Sequence, residues 1–207
     1  MKKWMALVLV MALCLTVCSS FAETAAVSEI MGTVNGSVWE NRLLGIRCDF
    51  PGWNYLSQEE ILERVNMSKE MLSEDAQALL ETSGPVTAMI AVSANQLENT
   101  NITVNSAGVS EAEFEAFGAK NILEGVAGEI GPAYDRAGVT GFEYEIVDCS
   151  FGGRTVPCLN MKAVANGVQI YQKQVVLCRN NYVFYITVSS YLNDTTADQL
   201  SCYSFID

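Results

Sequence analysis

The sequence predicts an α/β fold of the α+β kind: an antiparallel sheet of about six to eight strands between helices on both faces, ending in a four-stranded meander. Three observations carry this. Residues 141–190 hold four β-rich runs separated by Gly152-Gly153, Asn166-Gly167 and Asn180-Asn181, turn dipeptides that join neighbouring antiparallel strands. The last run places Tyr182, Phe184, Ile186 and Val188 on one face and Val183 and Tyr185 on the other, so it needs cover from two sides. Upstream, Ser57-Gln-Glu-Glu60 and Ser110-Glu-Ala-Glu113 are capping boxes that open helices.

The elements follow in chain order. Residues 23–37 show no apolar periodicity and read as a short tether. Val38–Asn41 and Leu43–Phe50 read as strands. In the second, Leu44, Ile46, Cys48 and Phe50 alternate with Gly45, Arg47 and Asp49, the period of a half-buried strand, and Pro51-Gly52 stops it. The helix from Ser57 runs to about Ser83, with a second start at Ser73-Glu74-Asp75. Val86–Ser93 is apolar on both faces, as a central strand should be, and Asn101–Asn105 pairs back on it. The helix opened by Ser110 carries Phe114, Phe117, Ile122, Val126 and Ile130 at helical spacing. Gly118, Gly125 and Gly128 weaken it by about 1 kcal/mol each relative to alanine, a cost that close approach to a sheet would explain. Gly131-Pro132 is read as its end. Asp194 or Thr195 caps a last short helix carrying Cys202.

The N-terminus sets the compartment. Met1-Lys2-Lys3, the apolar run Trp4–Val17 and small residues before a cut after Ala22 form a secretory leader, 1–22, too short to be a membrane span. A lipoprotein reading would instead lipidate Cys18 and tether the chain to a membrane surface. Secreted or cell-envelope associated is thus the expected location, with no transmembrane segment after cleavage. Removing Lys2 and Lys3 from the 12 basic residues leaves 10 against 24 acids, a formal charge of −14. Such a chain is repelled by phosphate backbones, so no nucleic-acid partner is expected.

Histidine is absent. That removes the usual general base, the Ser-His-Asp and Cys-His arrangements and every His-containing metal site. The clusters Glu59, Glu60, Glu63 and Glu111, Glu113, Glu115 sit in first helical turns, where the macrodipole favours acids. No cofactor, metal or catalytic residue is assigned. Cys48, Cys149, Cys158, Cys178 and Cys202 follow the leader without Cys-x-x-Cys spacing, and buried free thiols are their ordinary state. A four-residue loop at 152–155 would put Cys149 directly opposite Cys158 and make a disulfide conceivable; a two-residue loop would not. Cys178 is expected on the opposite face from Cys158, and Cys202 could meet Cys178 or Cys48. Trp39, Trp53 and Tyr55 beside the Pro51-Gly52 turn either cap the sheet or line a groove for a ligand or partner.

The order of elements, with Gly45-Ile-Arg-Cys-Asp-Phe-Pro-Gly-Trp53 near the start and Tyr182-Val-Phe-Tyr-Ile-Thr187 near the end, resembles the PsbP-like superfamily over residues 38–207. That resemblance implies one α/β/α sandwich domain and supplies no catalytic motif to carry over. The leading functional expectation is an exported, non-catalytic binding or assembly module at the cell exterior that contacts another envelope or extracellular protein. The alternative is a small-ligand carrier with a pocket between sheet and helix; an enzyme is the weakest reading.

Overall fold

The computed structural model describes residues 25–64 and 75–206; the leader and Cys18 lie outside them. Two antiparallel sheets form the frame. The larger has the order β4-β5-β6-β10-β9-β8-β7, from β4 (Asn54–Tyr55), β5 (Val86–Val92), β6 (Glu98–Ala107), β7 (Thr140–Phe151), β8 (Arg154–Ala165), β9 (Val168–Arg179) and β10 (Tyr182–Tyr191). The smaller has the order β1-β2-β3-β11, from β1 (Thr33–Asn35), β2 (Val38–Asn41), β3 (Ile46–Asp49) and β11 (Tyr203–Phe205). Among the described residues six helices pack on them: α1 (Val27–Met31), α2 (Gln58–Arg64), α3 (Ala76–Ser83), α4 (Glu111–Phe117), α5 (Ala119–Arg136) and α6 (Thr196–Ser201).

The meander is built by its turns. Gly152-Gly153, Asn166-Gly167 and Asn180-Asn181 all have positive φ, from 49 to 79°. They close the pairs Phe151↔Arg154, Ala165↔Val168 and Arg179↔Tyr182. Two central residues with positive φ make a type I′ turn, whose twist matches that of the strands; glycine and asparagine tolerate that region best. The loop at 152–155 is therefore two residues, not four. Cys149 faces Val156 and Cys158 faces Val147, so the direct opposition that would favour a disulfide is absent.

Strand β10 lies between β6 and β9 and is covered on both faces, as its sequence requires. Tyr182, Phe184, Ile186 and Val188 enter the main core with Trp39, Ile61, Leu79 and Leu200. Val183 enters a second core with Leu123, Ala127, Leu159 and Met161, beneath α5.

The segment read as a tether is part of the fold. Val27, Ile30 and Met31 in α1 are fully or almost fully buried, on one face at helical spacing. A helix this short leaves its last carbonyls without intrahelical partners. Trp39 Nε1 donates to Met31 O at 3.0 Å, and Asn41 Nδ2 donates to Glu29 O at 3.0 Å and to Ile30 O. Gly32 then turns into β1 with φ 64°, where a Cβ would stand 2.6 Å from Glu40 O. Residues 38–50 pair with β1 and β11 in the smaller sheet rather than in the main one.

The capping boxes form as expected. Glu60 Oε2 accepts from Ser57 N at 2.7 Å, and Ser110 Oγ accepts from Glu113 N at 3.2 Å. Asp75 caps α3 by accepting from Ala78 N at 2.9 Å, the second start seen in the sequence. The long helix breaks at Gly118, φ 85°, and Pro132 lies inside α5 instead of ending it. The close approach is at Gly131, where a Cβ would be 3.3 Å from the Phe142 ring of β7. At the last helix Asp194, not Thr195, supplies the cap: its Oδ1 accepts from Thr196 N at 3.0 Å.

Candidate functional site

The residues singled out from sequence do not converge. Trp39 is 1 % exposed and belongs to the core. Trp53 packs on Phe50 with ring centroids 4.5 Å apart, and the Tyr55 hydroxyl donates to Ser37 O at 2.8 Å. Together they cap the join between the two sheets, which favours capping over a groove. Cys48 lies beneath them, its thiol 3.8 Å from the Tyr55 hydroxyl; burial pushes it up to about 12.

The five described cysteines are free thiols. Cys178 and Cys158 belong to opposite cores, as expected. Cys202 stands at the C-terminal cap of α6, its thiol 3.5 Å from Asp198 O, and is bonded to neither Cys48 nor Cys178. Cys149 and Cys158 share a face as diagonal neighbours one pair apart, a longer separation than direct opposition. A hydrogen bond between them lowers the Cys149 thiol below its ordinary value and raises that of Cys158, which burial raises further. Both are expected to remain thiols, with Cys149 the more reactive because its thiolate forms more readily. Peptide mapping with limiting iodoacetamide on the folded protein should label Cys149 ahead of Cys158. After denaturation without reductant both should be alkylated; a 149–158 linked peptide would overturn this.

The accessible site lies at the other end of the same hairpin. Strand β7 is a terminal strand of the large sheet, twelve residues long, and among the described residues no strand pairs with its outer edge. The opposite terminal strand, β4, has only two residues. The edge is solvent-facing: Glu143, Tyr144, Glu145, Asp148 and Ser150 are exposed, Tyr144 by 50 %. Because the turn closes on a hydrogen-bonded pair at Phe151↔Arg154, alternate residues inward from it bond to β8. Tyr144, Ile146, Asp148 and Ser150 are thus the positions whose backbone N–H and C=O point outward.

The pleat sorts the side chains. Val147, Cys149 and Phe151 pack into the main core, and Glu143 and Glu145 continue that face beyond it. There the sheet opens into a cleft of about 400 Å³ lined by Glu143, Glu145, Asn160, Lys162, Tyr171 and Asp194. Lys162 Nζ lies 3.0 Å from Glu143 Oε2, and Asn160 Nδ2 donates to Glu145 Oε1 at 2.9 Å. The hydrogen bond to Glu143, with its charge, raises the Lys162 ammonium above its usual range. Burial pushes the Asp194 carboxyl up, but hydrogen bonds from Thr196 and the charge of Lys173 outweigh it and hold it low. The Asp194 carboxylate and the Lys162 ammonium are thus both held in their charged forms. The cleft can hold and orient a polar or cationic group. Among the described residues no group of acidic residues and cysteines stands close enough to hold a metal ion.

None of these cleft residues was singled out from sequence. The signal was present in the turn: a two-residue loop at Gly152-Gly153 brings Glu143 opposite Lys162 and Glu145 opposite Asn160. Asp194 arrives from beyond β10, and its local pattern marks it only as a helix cap.

No protein-family model matches the chain, and no curated protein matches it. Among solved structures it is similar to LpqN, a protein involved in cell envelope biogenesis of Mycobacterium tuberculosis. The identity is 15 %, over 84 % of this chain and 87 % of that one, with a TM-score of 0.42. So distant a likeness carries no argument about function and does not confirm the PsbP-like resemblance.

Proposed function

We propose that this protein is an exported, non-catalytic binding or assembly module at the cell exterior, and that its working surface is the free β7 edge with the adjoining cleft. One observation carries the reading: a twelve-residue edge strand that is solvent-facing and unpaired among the described residues. Open edges are templates for pairing, and proteins ordinarily shorten or cover them. The leader-like residues 1–22 support export. The ligand-carrier alternative has less support, because the space between the large sheet and α5 is filled by Leu123, Ala127, Leu159, Met161, Val176 and Val183.

Site-specific photocrosslinking in intact cells tests this. A photoreactive residue in place of Tyr144 should give a discrete adduct with a cell-envelope or extracellular component. The same residue at Glu124, exposed on α5, should not. Equal adducts from both positions, or none from position 144, would overturn the proposal. The mass of the recovered protein also reads processing, with a chain starting at Glu23 as the expected product.

A further inference from the structure

We infer that the occupant of the β7 edge is an extended cationic segment of another polypeptide, added as a further strand with basic side chains facing Glu143 and Glu145. The inference rests on the binding role proposed above and assigns the chemistry of the partner. The backbone provides the first argument. Tyr144, Ile146, Asp148 and Ser150 present outward donors and acceptors over a stretch of about 20 Å at 3.4 Å per residue. That length suits about seven residues of an incoming strand, a mode in which main-chain bonds give affinity and alternate side chains give specificity.

Charge provides the second argument. Strand β7 carries Glu143, Glu145 and Asp148 and no basic residue. Glu143 and Glu145 project on one face, two residues apart, with Asp194 across the cleft they line. Each glutamate gives one oxygen to its bond with Lys162 or Asn160, and a carboxylate oxygen has further acceptor capacity. On the opposite face Tyr144 is half exposed. A strand laid against this edge therefore meets acid, aromatic and acid in succession. Its complement is a basic–apolar–basic triplet, with each basic side chain directly opposite a glutamate.

The same charges select against a second copy of this chain. Self-pairing of β7 would bring together two strands that each carry three acids and no base, within molecules of formal net charge −12. Like charges across a strand pair are destabilising, and the repulsion acts at long range before contact.

The test uses the chain as the cell processes it and four labelled nine-residue peptides, read by fluorescence anisotropy at low salt. One is Ser-Val-Thr-Lys-Tyr-Lys-Val-Thr-Ser. The second replaces both lysines with glutamate. The third keeps the lysines but is N-methylated at alternate backbone nitrogens, so it has the charge without the pairing. The fourth replaces both lysines with serine. The lysine peptide should bind at least about tenfold more tightly than each of the others. The double variant Glu143→Lys, Glu145→Lys should reverse the preference towards the glutamate peptide. Hydrogen exchange on the unmodified protein should show Tyr144, Ile146, Asp148 and Ser150 protected by the lysine peptide, a readout that needs no variant to fold. If all four peptides bind alike, or the N-methylated one binds as well as its parent, or none binds, the inference fails. If the glutamate or serine peptide protects those same four amides equally well, the charge assignment fails while the edge remains a binding surface. If a peptide binds without protecting them, the edge reading fails too.

Discussion

Trp39→Ala is expected to lower stability by about 4–5 kcal/mol, a large share of what holds a domain of this size together. The indole is 1 % exposed, and its removal empties a large volume in the main core. It also strips Met31 O of the donor at 3.0 Å that satisfies it, leaving a buried carbonyl unpaired. Urea titration of the processed chain reads this directly, since Trp53 remains as a fluorescent reporter at the edge of the same cluster. Trp39→Phe keeps part of the packing without the hydrogen bond and should cost clearly less. A loss under about 1 kcal/mol for the alanine variant would mean that α1 does not depend on this anchor.

Asn41→Ala is expected to cost about 3 kcal/mol despite removing only a small side chain. The residue is 1 % exposed. Its Nδ2 serves the carbonyls of Glu29 and Ile30, and its Oδ1 accepts from Leu44 N at 2.9 Å. Truncation leaves two buried backbone groups, Ile30 O and Leu44 N, and the part-buried Glu29 O without these partners. Asn41→Asp separates the hydrogen-bond loss from the cavity. It puts a carboxylate oxygen against two carbonyls, so the folded state raises the new group's pKa. The destabilisation should be small at acid pH, where the group is protonated in both states. It should grow as pH rises through the ordinary aspartate range, because only the unfolded chain then releases the proton freely. Denaturation midpoints at acid and neutral pH check the sign: a penalty that grew on acidification would show that Asn41 is not a donor to α1.

The two substitutions bear on how much of this molecule could be read in advance. The meander was legible because turn chemistry is local: Asn166-Gly167 reports its own φ preferences whatever surrounds it. The two-sided burial of β10 was legible for a similar reason, since Val183 and Phe184 are apolar on alternate faces. The capping boxes were legible because four consecutive residues suffice to make one. The helix α1 was not legible: Val27, Ile30 and Met31 are too few to establish a period, and what makes them helical is cover from Trp39 and Asn41 on a neighbouring element. Strand β11 was missed for the same reason, being three residues paired with β3. At the candidate site, one loop length separated reading from misreading. The four-residue alternative at 152–155 drew attention to Cys149 and Cys158. The two-residue turn that Gly152-Gly153 adopts instead aligns Glu143 with Lys162. Pro132 was read as a stop because proline usually is one, yet here the helix carries through it to Arg136.

The pairing of β11 with β3 has a consequence for how the chain reaches its final state. Residues 203–205 complete a sheet begun by residues 33–49, so segments far apart in the sequence are sewn together. In a chain delivered N-terminus first, no partial product can finish the smaller sheet, however much of the meander has already emerged. The loop to be closed spans nearly the whole domain, and closing it carries an entropic cost that only the pairing of residues 203–205 can repay. Loss of residues 203–205 would leave the outer edge of β3 open beside Cys48, whose side chain the completed structure keeps wholly out of water.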